Sequence, residues 1–251
     1  MPISISSIAQ LQTNHIDLWV IEPARLSSQS LSFLQSLLST SEQQALKKYK
    51  HPKAHHTALI TRSVSRLILS EYIALAPNEI VFIRNQHGKP EIKNNPHHIR
   101  FNLSHNNELI VMAVCVKDDI GCDIENPQRS INIEPITRRY FSSQEHIEIT
   151  NCPITEQQIR FFEIWTLKEA LVKATGVGIS LGLDSFYFKI DKDNTTSPIK
   201  LFFNTHYPLN KNLPWQLYQQ SLMQQLVAIC RVSHLKQSIN LLTANELIEK
   251  H

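Results

Sequence analysis

Glycine is scarce in this chain of 251 residues, which contains only five. The sequence has no P-loop, no G-x-G-x-x-G dinucleotide fingerprint and no H-E-x-x-H motif, so it lacks the marks of three large enzyme groups. A chain so poor in glycine is expected to use it where the backbone needs special dihedral angles or a close approach. The five positions to inspect are Gly88, Gly121, Gly176, Gly178 and Gly182.

Metal-type cysteine spacing and long hydrophobic runs are also missing. The four cysteines include no C-x-x-C pair. The longest apolar run, 109–116, has eight residues and is too short to span a bilayer. The first ten residues, MPISISSIAQ, lack the basic and apolar segments of a secretory signal. We therefore expect a cytoplasmic protein with reduced thiols, acting away from membranes.

Excess charge of either sign is absent as well. The formal net charge is +3, with 19% charged and 42% hydrophobic residues, which is ordinary for a globular protein. This balance predicts no nucleic-acid partner, although it is compatible with a polyanionic ligand. The length suits one large domain or two small ones.

Hydrophobic periodicity predicts an α+β fold with two similar lobes. Helical patterns cover 28–39, 53–75 and 155–175, and a helix capped by Thr40 and Gln43 is expected between the first two. Short strand patterns occur in both halves, while the tail 238–250 resembles a weak helix. The predicted lobes are 1–116 and 117–251, each with a small antiparallel sheet packed by helices.

Two acidic residues, Asp123 and Glu125, follow Gly121 in a predicted strand. Residues i and i+2 of a strand face the same side, so their Cα atoms are expected roughly 7 Å apart. The like charges repel each other, and a hard cation such as Mg²⁺ would relieve that repulsion. The alternative is an exposed strand end without a ligand.

The stretch 164–182, IWTLKEALVKATGVGISLG, predicts a helix that ends at Gly176. Glu169 and Lys173 are four residues apart on one face, while Ile164, Leu167, Leu171 and Ala174 lie on the other and anchor it in a core. Taken alone, the stretch favours a surface helix bearing a solvent-exposed ion pair. Together with Asp123 and Glu125, it adds a third carboxylate and a phosphate-binding lysine.

Two shorter motifs place polar groups at strand ends and turns. Ser104 and His105 are adjacent on a predicted strand and therefore face apart, which argues against a nucleophile–base pair. Anion binding and a simple polar turn remain open for them. Lys89 sits in a Gly-Lys-Pro turn, and a basic stretch precedes it at Lys47, Lys48, Lys50 and Lys53. These lysines are either solvated or part of an anion site.

The order of the motifs is more specific than any one of them. G-K-P at 88–90, F-N-L-S-H at 101–105, G-C-D-I-E at 121–125 and W-T-L-K-E-A-L-V-K-A-T-G-V-G-I-S-L at 165–181 follow one another. This series resembles the Sfp-type branch of the 4′-phosphopantetheinyl transferase superfamily, from about Leu46 to Phe188. The resemblance implies a pseudodimer of two lobes in one chain, acting as a monomer, with the active site at the interface of the lobes.

The resemblance also implies the reaction. Such enzymes move phosphopantetheine from coenzyme A to a serine of an acyl or peptidyl carrier protein, release adenosine 3′,5′-bisphosphate and use Mg²⁺. By resemblance, Asp123, Glu125 and Glu169 bind the metal, and Lys173 contacts the pyrophosphate. Glu169 or a metal-bound water takes the serine proton. The carrier belongs to fatty acid, polyketide or nonribosomal peptide synthesis.

The residues implied for holding coenzyme A are Lys89, Ser104 and His105. Relatives often place basic residues for the 3′-phosphate where this chain has Glu42 and Ala45, so Lys47, Lys48 or Lys53 is expected to replace them. Many relatives also have lysine at the position of Val177 and proline at that of Gly182.

Two alternatives to this transferase stay open. One is a non-catalytic protein of the same fold that binds coenzyme A or a carrier protein. The other is a different Mg²⁺-dependent phosphotransferase acting on small molecules.

Overall fold

The computed structural model describes residues 14–191, 193, 198–236 and 238–250. It is α+β and divides into two compact units. The first unit comprises 1–117 together with 237–251, and the second unit comprises 118–236. The chain therefore leaves the first unit after Lys117 and returns to it at its C-terminal end.

Seven α-helices and eleven strands occur in the described ranges. The strands are β1 His15–Ile21, β2 Phe82–Arg84, β3 Pro90–Ile92, β4 Ile99–His105, β5 Ile110–Val116, β6 Ile120–Glu125, β7 Phe186–Ile190, β8 Ile199–Phe203, β9 Trp215–Leu222, β10 Gln225–Val232 and β11 Ser238–Thr243. The helices are α1 Ser28–Ser36, α2 Thr40–Leu46, α3 Pro52–Ile73, α4 Ile133–Tyr140, α5 Ser143–Asn151, α6 Ile154–Thr175 and α7 Ala244–Ile248. No helix in these ranges has the apolar length required to cross a bilayer.

The first unit is built on a four-stranded sheet with the order β11-β1-β5-β4. The β1–β5 and β5–β4 pairs are antiparallel, whereas β11 runs parallel to β1. Apolar side chains of α3, such as Ile60, Val64 and Ile68, pack with those of β1, β4 and β5 in one buried core. Strand β4 lies at the edge of this sheet and contacts α3.

The start of α2 differs from the prediction. Ser39, not Thr40, is the N-cap, and Glu42, not Gln43, completes the capping box. The Glu42 carboxylate accepts hydrogen bonds from the backbone and hydroxyl of Ser39 and also pairs with Arg66. A carboxylate accepts the hydrogen bonds from Ser39 and pairs with Arg66 better than the amide of Gln43 would. The N-cap therefore lies one residue before the predicted one.

The second unit has an antiparallel sheet with the order β6-β10-β9 and a separate β7–β8 hairpin. Helix α6 packs on β6 and β10. Its predicted apolar face is confirmed, since Ile164, Leu167, Leu171 and Ala174 are all buried. Gly176 ends the helix in the left-handed conformation, with φ of 68°.

The C-terminal tail is not the helix predicted over 238–250. Strand β11 pairs with β1, and only α7 is helical. Asn240 donates to the buried Asp17 carboxylate at 2.9 Å, and Asn245 bonds both backbone groups of Glu22. These tertiary contacts decide the conformation of a short segment whose local preference is weak. The predicted second lobe, 117–251, is accordingly too long at its C-terminal end.

Candidate active site

Strand β6 and helix α6 touch at Gly121. A Cβ atom at this glycine would lie 2.0 Å from the carbonyl oxygen of Ala170 and 2.3 Å from the backbone nitrogen of Ala174. Both distances are far below van der Waals contact, so only glycine allows this approach of strand and helix. The G-C-D-I-E motif and the K-E-A-L-V-K motif are thereby packed directly against each other.

The acidic residues of β6 share the face of the strand on which Gly121 lies. The Oδ1 atom of Asp123 lies 2.7 Å from the Nζ atom of Lys173 on α6. Trp165, also on α6, lies close enough to Glu125 to lower the pKa of that carboxyl, and Arg129 reaches the same carboxylate at 3.2 Å. Because alternate residues of a strand face the same side, Gly121, Asp123 and Glu125 all lie against α6.

The electrostatics show that the charge of Asp123 acts on both Glu125 and Glu169. Burial, followed by the charge of Asp123, raises the pKa of Glu125 and likewise that of Glu169. Burial works against the charge of Lys173, but its neighbours, Asp123 first and then Cys122 and Glu169, together outweigh burial and raise the pKa of that ammonium group. Three carboxylates therefore lie near one another around Asp123, and Lys173 and Arg129 offset part of their negative charge.

This donor set fits a hard divalent cation. Carboxylate oxygens are the ligands that Mg²⁺ prefers, and the charge excess around Asp123 is the condition that a cation would relieve. Among the described residues, no group of three or more His, Cys, Asp or Glu side chains is already arranged around a metal position. Here the Lys173 ammonium is the cation in contact with Asp123.

Lys168 is the residue whose place the sequence pattern did not reveal. It is fully buried and pairs at 2.8 Å with Glu145, which is also fully buried. Its ammonium group donates to the carbonyl oxygens of Leu183 and Phe186, and burial lowers its pKa. The available signal was its position four residues after Ile164, on the apolar face of the helix. Lys168 therefore supports the helix from inside the core.

The first unit contains a cavity of about 980 Å³ between α2, α3 and β4. Of the predicted coenzyme A ligands, His105 lines this cavity, while Lys89 lines a small neighbouring pocket and Ser104 is buried. Lys47 and Lys48 are exposed and do not line it. Residues of the basic region that do line it are Lys53 and Arg62.

Two family models match this chain. The model of the 4′-phosphopantetheinyl transferase superfamily matches residues 119–230, which include β6 and α6. A second model, for the N-terminal part of 4′-phosphopantetheinyl transferase, matches residues 25–117. The chain belongs to the 4′-phosphopantetheinyl transferase superfamily. The resemblance found in the sequence is confirmed, and phosphopantetheinyl transferase activity is supported for this chain.

Individual relatives cover most of the chain. The 4′-phosphopantetheinyl transferase gsp of Aneurinibacillus migulanus is 30% identical over 85% of this chain and 84% of its own length. The transferase ffp of Bacillus subtilis is 31% identical over 68% of this chain and 75% of its own length. A solved holo-[acyl-carrier-protein] synthase of Thermotoga maritima, with TM-score 0.36 and 15% identity over 46% of this chain and 62% of that chain, is too distant to support a conclusion.

One departure from the superfamily pattern has a local explanation. Val177, where many relatives have lysine, is partly buried against the apolar cluster that contains Leu171 and Leu181. A hydrophobic side chain suits that environment. The T-G-V-G turn thus contributes packing at this position, where a charge was expected.

Proposed function

We propose that this protein transfers phosphopantetheine from coenzyme A to a serine of an acyl or peptidyl carrier protein. The observation that carries the proposal is the contact of β6 with α6 at Gly121, which sets Asp123 and Glu125 beside the helix bearing Glu169 and Lys173. The predicted placement of the active site between the two lobes stays a prediction.

The reaction is a phosphoryl transfer that requires mainly positioning and charge stabilisation. The serine oxygen of the carrier forms a new bond to the phosphorus that bears pantetheine. The bond from that phosphorus to the oxygen of adenosine 3′,5′-bisphosphate breaks, and the serine proton is taken up by a base. Because the nucleophile comes from the carrier, the enzyme needs none of its own.

Two residues of α6, Glu169 and Lys173, have the properties that this reaction requires of a base and of a phosphate contact. Glu169 is half-buried, and burial with the charge of Asp123 raises its pKa toward the range in which a general base works well. Lys173 keeps its proton because Asp123 stabilises the charged form, so it supplies a positive charge for the pyrophosphate. We therefore assign proton acceptance to Glu169 and phosphate contact to Lys173.

We further propose that Asp123, Glu125 and Glu169 hold Mg²⁺. When bound, Mg²⁺ offsets the charge that develops on the leaving phosphate. Lys173, which pairs with Asp123 in this structure, would supply a further positive charge for the phosphate.

The test is to incubate the protein with coenzyme A, Mg²⁺ and a panel of apo carrier proteins and to measure carrier mass. We expect a gain of one phosphopantetheine arm, lost in Asp123→Asn and Glu169→Gln and retained in Glu156→Gln. Glu156 is an exposed carboxylate on the same helix and serves as the matched control.

Each other outcome contradicts a defined part of the proposal. Binding of coenzyme A without any mass gain would indicate a binding-only protein. A product formed from coenzyme A without a carrier would indicate a small-molecule phosphotransferase. Near-normal transfer by Asp123→Asn would show that the site residues are wrongly assigned while the activity is right.

A further inference from the structure

The turn that follows β6 brings the chain back beside the end of that strand. The backbone N–H of Arg129 donates to the carbonyl oxygen of Asn126 at 3.0 Å, which closes a turn over 126–129. The side-chain oxygen of Asn126 also accepts a hydrogen bond from the backbone N–H of Gln128 at 2.8 Å. Pro127 occupies the second position, where its fixed φ favours such a turn. The position of Arg129 is therefore set by several local constraints.

Helix α6 holds the same turn from the other side. The Nε2 atom of Gln158 on α6 donates to the carbonyl oxygen of Pro127 at 2.8 Å. The guanidinium carbon of Arg129 lies over the ring of Phe162, 5.6 Å from its centroid, and that ring is fully buried. An arginine at this distance is attracted to the face of an aromatic ring. The turn and its arginine are thus attached to the helix that carries Glu169.

Arg129 uses this position to contact Glu125. Its Nη2 atom lies 3.2 Å from the Oε2 atom of Glu125, and the two side chains are 53% and 18% exposed. An ion pair with so exposed a partner contributes little to folding stability. Its main effect is therefore expected on the carboxylate that it contacts.

That effect favours the form of Glu125 that binds metal. Burial, and then the charge of Asp123, raise the pKa of Glu125, whereas the charge of Arg129 acts in the opposite direction. A carboxylate binds metal in its ionised form, which offers about four acceptor positions. One hydrogen bond from an arginine restricts the rotation of such a group and leaves acceptor positions for a cation.

We propose that Arg129 is a positioning residue that holds the Glu125 carboxylate ready to bind Mg²⁺. The inference rests on the proposed function, which makes Glu125 a ligand of that cation. Groups that hydrogen-bond a ligating carboxylate orient it and strengthen metal binding. The active site thus extends beyond the two motifs to the turn at 126–129.

The first test measures metal binding without turnover. Free Mn²⁺, which prefers the same oxygen ligands as Mg²⁺, is followed by electron paramagnetic resonance while the full chain is titrated with coenzyme A present and no carrier. Coenzyme A without protein supplies the blank. Arg129→Met is expected to raise the Kd for Mn²⁺ by about 10-fold, and Arg129→Lys by less because it keeps the charge.

The matched control is Arg138→Met. Arg138 is an exposed arginine of the same unit that also pairs with a glutamate four residues earlier, Glu134 on α4. This change removes an equivalent ion pair away from the three carboxylates and should leave the Kd for Mn²⁺ unchanged. Unfolding in urea, measured in parallel, should change little in either variant.

The second test asks whether the turn acts through Arg129. Gln158→Met removes the donor to the Pro127 carbonyl oxygen and should raise the Kd for Mn²⁺ by a smaller factor. The double variant with Arg129→Met should bind as weakly as Arg129→Met alone, because both changes act on one contact. Fully independent effects of the two changes would contradict the role of the turn.

The inference is overturned if Arg129→Met binds Mn²⁺ as tightly as the wild type. It is also overturned by tighter binding, which would show that the arginine competes with the cation. If Glu125→Gln binds Mn²⁺ like the wild type, Glu125 is not a ligand, and the proposed metal site fails together with the inference. Weak binding by Glu125→Gln with unchanged binding by Arg129→Met contradicts the inference alone.

Discussion

Replacing Gly121 with alanine tests whether the contact of β6 with α6 creates the active site. The added Cβ would lie 2.0 Å from the Ala170 oxygen, whereas Cβ atoms in proteins essentially never come within 3.0 Å of such an atom. Strand and helix must therefore separate by roughly 1 Å. The backbone atoms that oppose the methyl group have no rotamer to change, so the separation must displace the strand itself.

Two effects of different size follow from this displacement. Overpacking of a buried contact lowers the free energy of unfolding by about 1–3 kcal/mol. A shift of about 1 Å between Asp123 on the strand and Glu169 and Lys173 on the helix is expected to lower transfer about 100-fold. The second effect is larger than partial unfolding can explain, because a protein destabilised by that amount remains mostly folded.

The assay is transfer to an apo carrier per folded molecule, with unfolding by urea measured in parallel. The matched control is Ile124→Val, a cavity-forming change on the other face of the same strand, which should lose about 0.5–1.5 kcal/mol and keep its turnover. If Gly121→Ala retained turnover within threefold of the wild type, the close approach would not be what aligns the site.

Three further predictions concern buried polar groups. Burial and the charge of Asp123 raise the pKa of Glu169 in the folded state. Folding therefore favours the protonated carboxyl, and the free energy of unfolding falls as pH rises from the unfolded-state pKa through the raised folded-state pKa. Glu169→Gln should accordingly be more stable than the wild type in urea at pH 7.5 but not at pH 4; equal stability at both would contradict the pKa shift. Lys168→Met leaves the Glu145 carboxylate buried without its cation and should lower the unfolding free energy by about 3–5 kcal/mol, partly restored by adding Glu145→Gln. A loss below 1 kcal/mol would show that the pair is dispensable. Asn240→Ala removes a donor from buried Asp17 and should cost about 1–3 kcal/mol by the same measurement, whereas an unchanged midpoint would mean that water replaces the amide.

Sequence periodicity was sufficient for the elements that have a strong local pattern. The stripe of apolar residues on α6 and its glycine stop are confirmed, and short strands are present in both halves as the patterns indicated. Motif order was sufficient for the superfamily. The proximity of β6 and α6 followed only from the resemblance, since periodicity does not say which elements pack together.

Other features depend on contacts between distant residues. The tail forms a strand because β1 offers it a partner, and no local pattern encodes that pairing. Arg62 and Arg66 share one helix and one residue type, yet their roles differ because only Arg66 meets Glu42 and two carbonyl oxygens. Sequence alone therefore could not show which of these two arginines is held by partners distant in the chain.

The return of β11 to the first unit has a consequence for synthesis on the ribosome. The second unit, 118–236, is complete in the nascent chain before residues 238–243 have been translated. Until they emerge, β1 has no neighbour on one side, and an unpaired strand edge invites association with other chains. The unit that begins first is thus the last to be finished, and a chain released before residue 238 would have an open edge at β1.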